Sequence, residues 1–484
     1  MTEQPQTGSA AGSAPRTDAE LTAEIARILP EIRSDLEALA RIPSVAFPGY
    51  DHSQVRRSAD ATAELLRAAG LTDIQLLAAP AGQPAVVARR PAPPGAPTVL
   101  LYAHHDVQPP GNAEEWDSPP FEPTERDGRL YGRGVADDKA GIAAHLAAIR
   151  AHGDALPVGV TVFVEGEEEF GSPTLAAFLD THRDLLAADV IVIADSGNWA
   201  VGQPALTTSL RGLVDCYVEL RTLEHGVHSG MYGGAAPDAL SSLCRVLATL
   251  HDEAGDVAVP GLGSAGPTQV DMDEKRFREE SGMLDGVSLI GTGSITERLW
   301  NKPAIAVLGI DCPAVQDASN TLIPVVRAKV SMRLAPGQSP AEAMRALTEH
   351  LTAKAPWGAQ ITVTDGELGA PYAIDATGPA YDAAREAFRE AWDGTAPVDI
   401  GVGGSIPFIA AFADAFPQAS ILVTGVEDPD SRAHGVNESL HLGEFARVCV
   451  AEALLLAKLG RSVPGRTVSG SSVSGSSVPG SGAK

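Results

Sequence analysis

Three short apolar runs in this chain each end in side chains able to bind a metal, and that repetition constrains the fold more than any bulk property. TVLLY leads into Ala103-His104-His105-Asp106, VTVFV into Glu165-Gly166-Glu167-Glu168-Glu169, and VIVIA into Asp195. Apolar runs this short read as buried strands. KAGIAAHLAAIRAH, between the first two, reads as a helix. Strands alternating with helices imply an α/β layered domain, and ligands of such sheets gather beyond the carboxyl ends of the strands. Histidine and acid are therefore expected to converge on one edge.

The rest of the chain extends this architecture. DAELTAEIARILPEIRSDLEALARI has apolar residues at helical spacing, and RRSADATAELLRAAG reads as a second helix stopping at Gly70. From about Leu210 the texture changes. RGLVDCYVELRTLE, AIAVLGIDC, RAKVSMRLAP and AQITVTDGE alternate as strands, while DALSSLCRVLATLHDEAG and SPAEAMRALTEHLTAKA read as amphipathic helices. A smaller α+β domain inserted into the first accounts for this switch. The chain then returns through GPAYDAAREAFREAWDG, a glycine-rich turn at 401–405, ASILVTGV and the closing helix GEFARVCVAEALLLAKLG. The expected division is 17–208 and 373–461 for the layered α/β domain, with a central, mainly parallel sheet, and 209–372 for the insert. Residues 1–16 and 462–484 are small, polar and Ser/Gly-rich, and are expected to be unfolded tails.

A length of 484 residues suits two domains. A formal net charge of -26 excludes the basic face that nucleic-acid binding requires. No apolar run reaches the ~18 residues of a membrane span, and MTEQPQTGSAAGSAPRTDAE lacks the regions of a secretory signal. A cytoplasmic location is expected. Cys216, Cys244, Cys312 and Cys449 are widely spaced without a CxxC pair, so buried free thiols are expected.

Each acidic or histidine cluster has a plainer reading when taken alone. Polar strand ends are common. Asp137 and Asp138, opening a helix, could serve only as an N-cap, although Gly132 and Gly134 suggest a closer backbone approach than a cap needs. The acids after VTVFV repel one another, which a dication or a solvated loop would relieve. His434, in Ala433-His434-Gly435, carries no signal by itself. Together, two His and three carboxylates with a spare Asp and Glu form a sulfur-free donor set suited to zinc, manganese or cobalt. Two such ions about 3.5–4 Å apart, sharing a carboxylate, make a hydrolytic centre.

The ordered motifs YAHHDVQP, LYGRGVADDKAG, VEGEEEFGS, ADSGNW and RAHGVNE resemble those of the dizinc peptidase superfamily. It contains carnosinases, aminoacylase, glutamate carboxypeptidase, acetylornithine deacetylase and succinyl-diaminopimelate desuccinylase. The resemblance runs nearly the whole chain between the tails and lies nearest the carnosinase-like dipeptidases. It implies that His104 and Asp195 hold one metal, Glu169 and His434 the other, and that Asp137 bridges them. It also implies Glu168 as general base, Asp106 as the residue orienting His104, and a cis Asp137–Asp138 bond. LEHGVHSGMYGG is similar to the family segment DLHSGxxGG, with Gly226 where relatives often carry Asp. His228 would then reach the neighbouring subunit's site and steady the oxyanion, with Asn320 touching substrate across a homodimer. Arg333 and the turn Gly403-Gly404-Ser405-Ile406 match the pieces that hold a terminal carboxylate. A guanidinium fork and backbone N–H groups suit that task.

The resemblance thus implies a catalytic domain with an inserted lid/dimerisation domain, two divalent metals with zinc foremost, and hydrolysis of dipeptides ending in a free carboxylate. An N-acyl-amino-acid deacylase would need the same metals and clamp. A metal-binding protein without catalysis would leave Glu168 beside Glu169 unexplained.

Overall fold

The computed structural model describes residues 14–404 and 407–465. The opening helix, Asp18–Ala40, begins at a capping box. Thr17 Oγ1 accepts from Glu20 N at 3.3 Å, while Glu20 Oε2 accepts from Thr17 N at 2.8 Å. Leu21, Ile25, Ile28, Ile32, Leu36 and Leu39 form its buried stripe, at spacings of three and four residues.

Continuous apolar runs make the central strands. Gly159–Glu165, Thr98–His104, Val190–Ile193 and Ser420–Val423 lie side by side and parallel, in that order. Their alternation serves two cores. Val99, Leu101 and Ala103 face a layer that includes the helices Asp18–Ala40, Lys139–His152, Pro379–Ala391 and Leu442–Ser462. Leu100 and Tyr102 face an aromatic layer with Phe163, Phe178, Phe408 and Phe412. The sheet is therefore covered on both faces, the arrangement expected for parallel strands. Its flanks differ from a mainly parallel expectation. Asp73–Leu77, Ala85–Arg90 and Tyr372–Ala373 pair antiparallel, so the nine-stranded sheet is mixed with a parallel centre.

A second, four-stranded antiparallel sheet is ordered Ala304–Asp311, Val325–Leu334, Gly212–Arg221 and Gln360–Gly369. Val214, Cys216, Val218 and Leu220 alternate into a separate core with Val326, Ala328, Val330 and Met332, together with residues of the helices Ala239–Ala248 and Pro340–Ala353. The opposite face is polar. There Lys329 Nζ lies 2.9 Å from Asp215 Oδ2, and Arg327 stacks on Tyr217.

Two details depart from the sequence reading. All four cysteines are free, but only Cys216 and Cys449 are buried. Cys244 is exposed beside the buried Leu243, and Cys312 follows an edge strand that is largely exposed. At the start of the expected C-terminal tail, the last helix runs to Ser462 and Gly465 N donates to Gly95 O at 3.1 Å, while residues 1–13 and 466–484 of the expected tails lie outside the described residues. No helix among the described residues is long and apolar enough to cross a membrane.

Candidate metal centre

The four parallel strands end on one edge, and their following residues meet there. His104 closes its own strand opposite Glu165. Glu168 and Glu169 lie in a short turn just beyond Glu165, and Asp195 lies two residues past Ile193. His434 comes from the loop after Ser420–Val423. Asp137 arrives from the segment before the helix Lys139–His152, and its bond to Asp138 is cis.

Asp137 lies between the two imidazoles. Its Oδ1 is 3.0 Å from His104 Nε2, and its Oδ2 is 3.1 Å from His434 Nε2. His434 Nε2 is also 3.2 Å from Glu169 Oε2. On the other side, His104 Nε2 lies 3.9 Å from Glu168 Oε2 and 4.0 Å from Asp195 Oδ1. Separations of 3.0–4.0 Å suit donors around a common cation with bonds of about 2.0–2.2 Å. Two overlapping groups, His104 with Glu168 and Asp195 and His104 with Asp137 and Glu169, each gather within 4.8 Å.

The electrostatics also fit a cationic guest. Burial and neighbouring carboxylates raise Asp195 to about 6 and Glu169 to about 7. Burial, then the charges of Asp195, Glu169 and Asp137, push Glu168 well above the ordinary glutamate range, against the opposing pull of His104. Burial would raise Asp137, but hydrogen bonds with His104 and His434 hold it below the usual carboxylate range. Hydrogen bonds with Asp137 and Glu169 raise His434 to about 11. So much crowded negative charge is what a divalent ion neutralises.

The surrounding groups hold these donors in place. Asp106 offers its backbone O to His104 Nδ1 at 3.1 Å, with its Oδ1 at 3.5 Å. The same carboxylate accepts from Glu168 N and Glu169 N, both at 3.1 Å, so it fixes the acidic turn as well as the imidazole. The N-cap reading of Asp138 fails, because its side chain makes no cap bond to the helix; Oδ2 instead accepts from His104 N at 3.1 Å.

Glu438 is the residue that sequence reasoning missed. Fully buried, it accepts from Arg133 Nη1 at 2.7 Å, Gly134 N at 3.0 Å, Ala136 N at 3.0 Å and Asp137 N at 3.2 Å. It thereby holds the backbone that delivers Asp137. The available signal was Arg133, a guanidinium in a glycine-flanked loop that needs an acid when buried.

The remaining candidates lie elsewhere. Val227–His228 pairs with Thr321–Leu322, and Ser229 N donates to Asn320 O at 2.9 Å, so His228 and Asn320 lie together at one exposed two-stranded sheet. Among the described residues, neither contacts the metal cluster. Arg333 ends a strand of the second sheet, half-buried, with no hydrogen bond or carboxylate partner among the described residues. Gly404 faces open space, and Ser405 lies outside the described residues.

Known proteins resemble this chain over most of its length. The chain is 39% identical over 372 residues to a cysteinylglycine-S-conjugate dipeptidase of Corynebacterium striatum, covering 76% of this chain and 82% of the relative. It is 30% identical over 407 residues to a Beta-Ala-His dipeptidase of Rattus norvegicus, covering 79% and 82%. The fold matches the solved di-peptidase Dug1p from Saccharomyces cerevisiae with a TM-score of 0.75 at 24% identity, over 92% of this chain and 99% of that one. Residues 100–458 match the peptidase family M20/M25/M40, and the chain belongs to that family.

Proposed function

We propose that this chain is a metal-dependent dipeptidase, hydrolysing the amide bond of short substrates that end in a free carboxylate. The observation that carries the reading is Asp137, whose two oxygens face two different imidazoles while the Glu168 carboxylate stands beside them. The dipeptidase names of the relatives from Corynebacterium striatum and Rattus norvegicus support the same substrate class.

His104 and Asp195 would hold one cation, Glu169 and His434 a second, and Asp137 would serve both. Two such ions supply Lewis acidity, polarising an amide carbonyl and easing the deprotonation of water. Zinc is the metal we propose; manganese or cobalt would satisfy the same oxygen and imidazole donors.

The chain's own groups do the rest. Glu168, mostly buried and raised in pKa, takes the proton from the attacking water on its carboxylate and passes it to the departing amine. Asp106 keeps that turn and the His104 ring in register. Arg333 and the Gly403–Gly404 backbone receive the substrate's carboxylate. That anchor fixes which bond faces the acid and limits the substrate to a short one.

Residues 209–372 would form a lid that also dimerises. Support comes from the edge strand Ala304–Asp311, which exposes Val307, Leu308 and Ile310, and from the exposed Met231 and Val315 elsewhere in the same span. His228 and Asn320 would meet the partner's substrate from that lid.

The test is a hydrolysis panel of dipeptides, tripeptides and acetyl-amino acids with metal-loaded protein. Dipeptides are expected to be the best substrates; turnover of acetyl-amino acids alone would make the chain a deacylase. Glu168→Ala should lower kcat by at least ~10²-fold while metal content, read by elemental analysis, stays unchanged. Undiminished turnover in that variant would remove Glu168 from the mechanism.

A further inference from the structure

A dipeptide brings a cation to its own scissile bond. Its α-ammonium is two bonds from the carbonyl carbon, about 2.5 Å away, so it enters wherever that carbonyl meets the metal centre. Beside divalent ions a further positive charge is repelled unless a carboxylate that the metals do not use receives it. An acyl-amino acid brings no such charge.

Most acids packed around the metal donors are already engaged. Asp106 accepts from Glu168 N and Glu169 N, Asp138 from His104 N, and Glu438 from Arg133. Glu165 accepts from the Tyr102 hydroxyl at 2.8 Å, and Glu167 from Gln83 N and Thr174 N, both at 2.9 Å. Glu427 differs. It is half-buried, and its carboxylate has neither a hydrogen bond nor a cationic partner among the described residues.

The fold brings Glu427 to the same edge of the sheet. Val423 lies opposite Ile193 in the parallel pair, and four residues further on in each chain Glu427 pairs with Gly197. Asn198 N donates to Glu427 O at 2.8 Å across that bridge. Gly197 is two residues beyond Asp195, and a Cβ there would sit 3.6 Å from Glu427 Cβ, so the glycine leaves the side of Glu427 open. Burial, then the charges of Asp137 and Asp195, push the Glu427 carboxyl well above the ordinary glutamate range. It therefore stands within electrostatic reach of two of the proposed metal ligands.

We infer that Glu427 receives the α-ammonium of the substrate's N-terminal residue and so selects free dipeptides over acyl-amino acids. The inference rests on the dipeptidase reading and names the group that enforces it. A carboxylate meeting an ammonium forms a charge-assisted hydrogen bond, stronger than a neutral one. With the substrate's carboxylate at Arg333 and its ammonium at Glu427, both ends are fixed and the amide between them faces Glu168.

The experiment compares kcat/KM for Ala-Ala and for propionyl-alanine, which differs from it only in lacking the ammonium. The wild type is expected to favour Ala-Ala by at least ~10²-fold. Glu427→Gln keeps the shape and removes the charge; it should lower that ratio by roughly 10- to 100-fold, through loss on Ala-Ala alone. Glu427→Asp, which keeps the charge, should retain most of the preference. Elemental analysis and thermal unfolding establish that each variant is loaded and folded, and Glu427→Ala replaces the Gln variant if that one is not. An unchanged ratio in the charge-removing variant, or an equal loss on both substrates, overturns the role of Glu427 and leaves the dipeptidase reading standing. A wild type that cleaves propionyl-alanine but no dipeptide overturns the dipeptidase reading itself, and the ammonium site with it.

Discussion

Asp137 organises the centre because a carboxylate has two faces. With one oxygen toward His104 and the other toward His434, it couples two donor groups that arrive from different strands. Without a cation, this closeness keeps protons on the imidazoles. His434 rises to about 11, and His104 is held well above the ordinary histidine range by Asp106 and Asp137 despite its burial. A metal binds only neutral imidazole, so loading must displace those protons. The sign follows: apparent metal affinity should rise with pH across the neutral range, and zinc binding should release protons. Calorimetry in buffers of differing ionisation enthalpy reads that release. A binding heat independent of the buffer would contradict this arrangement.

The helix Lys139–His152 shows how an element serves the site. It is buried almost all round, and its N-terminal end lies against the segment carrying Asp137 and Asp138. Gly141 is required there. A Cβ at that position would fall 2.2 Å from Asp138 Oδ1 and 2.9 Å from Ala194 O. Alanine gains up to ~1 kcal/mol over glycine in a helix interior, but overpacking costs about 1–3 kcal/mol. Because one clashing atom is backbone and cannot swing away, the clash wins. Gly141→Ala should be less stable by about 1–2 kcal/mol in urea unfolding, and a stabilised variant would refute the steric account. The same scale shows what the sequence made legible. Central strands such as Thr98–His104 and Val190–Ile193 are buried on both faces, so they stand out as unbroken apolar runs. The strand Asp73–Leu77 lies at the sheet edge, and the long stretch between Ala248 and Ala304 carries little periodicity. Neither was visible. The function of Glu438 was hidden for another reason: it rests on an ion pair with Arg133, about three hundred residues away in sequence, and on three backbone N–H groups that no side-chain pattern reveals.

For the whole molecule, the unpaired edge of the second sheet matters most. A strand edge with exposed apolar residues invites another strand, and proteins that keep such an edge usually cover it. Leu308, at the register shift between Val307 and Gly309, is 60% exposed. Sedimentation should therefore find a dimer, and Leu308→Lys should shift it toward monomer. A wild-type monomer at micromolar concentration would remove the role proposed for His228 across the subunits.

Leu210 and Tyr372 are cross-strand partners in the first sheet, and between them the chain leaves to build the whole second sheet. From the standpoint of the first sheet, that excursion is one long hairpin loop. The outgoing and returning backbones touch at the neck, where a Cβ on Gly212 would meet the Pro371 ring at 2.7 Å and Gly369 O at 2.8 Å. Closing a loop costs entropy that grows only with the logarithm of its length, so the first sheet tolerates a very large excursion at this point. Its ladder is held on both sides of the neck, and a backbone cut at a surface turn of the excursion would leave that ladder's register unchanged.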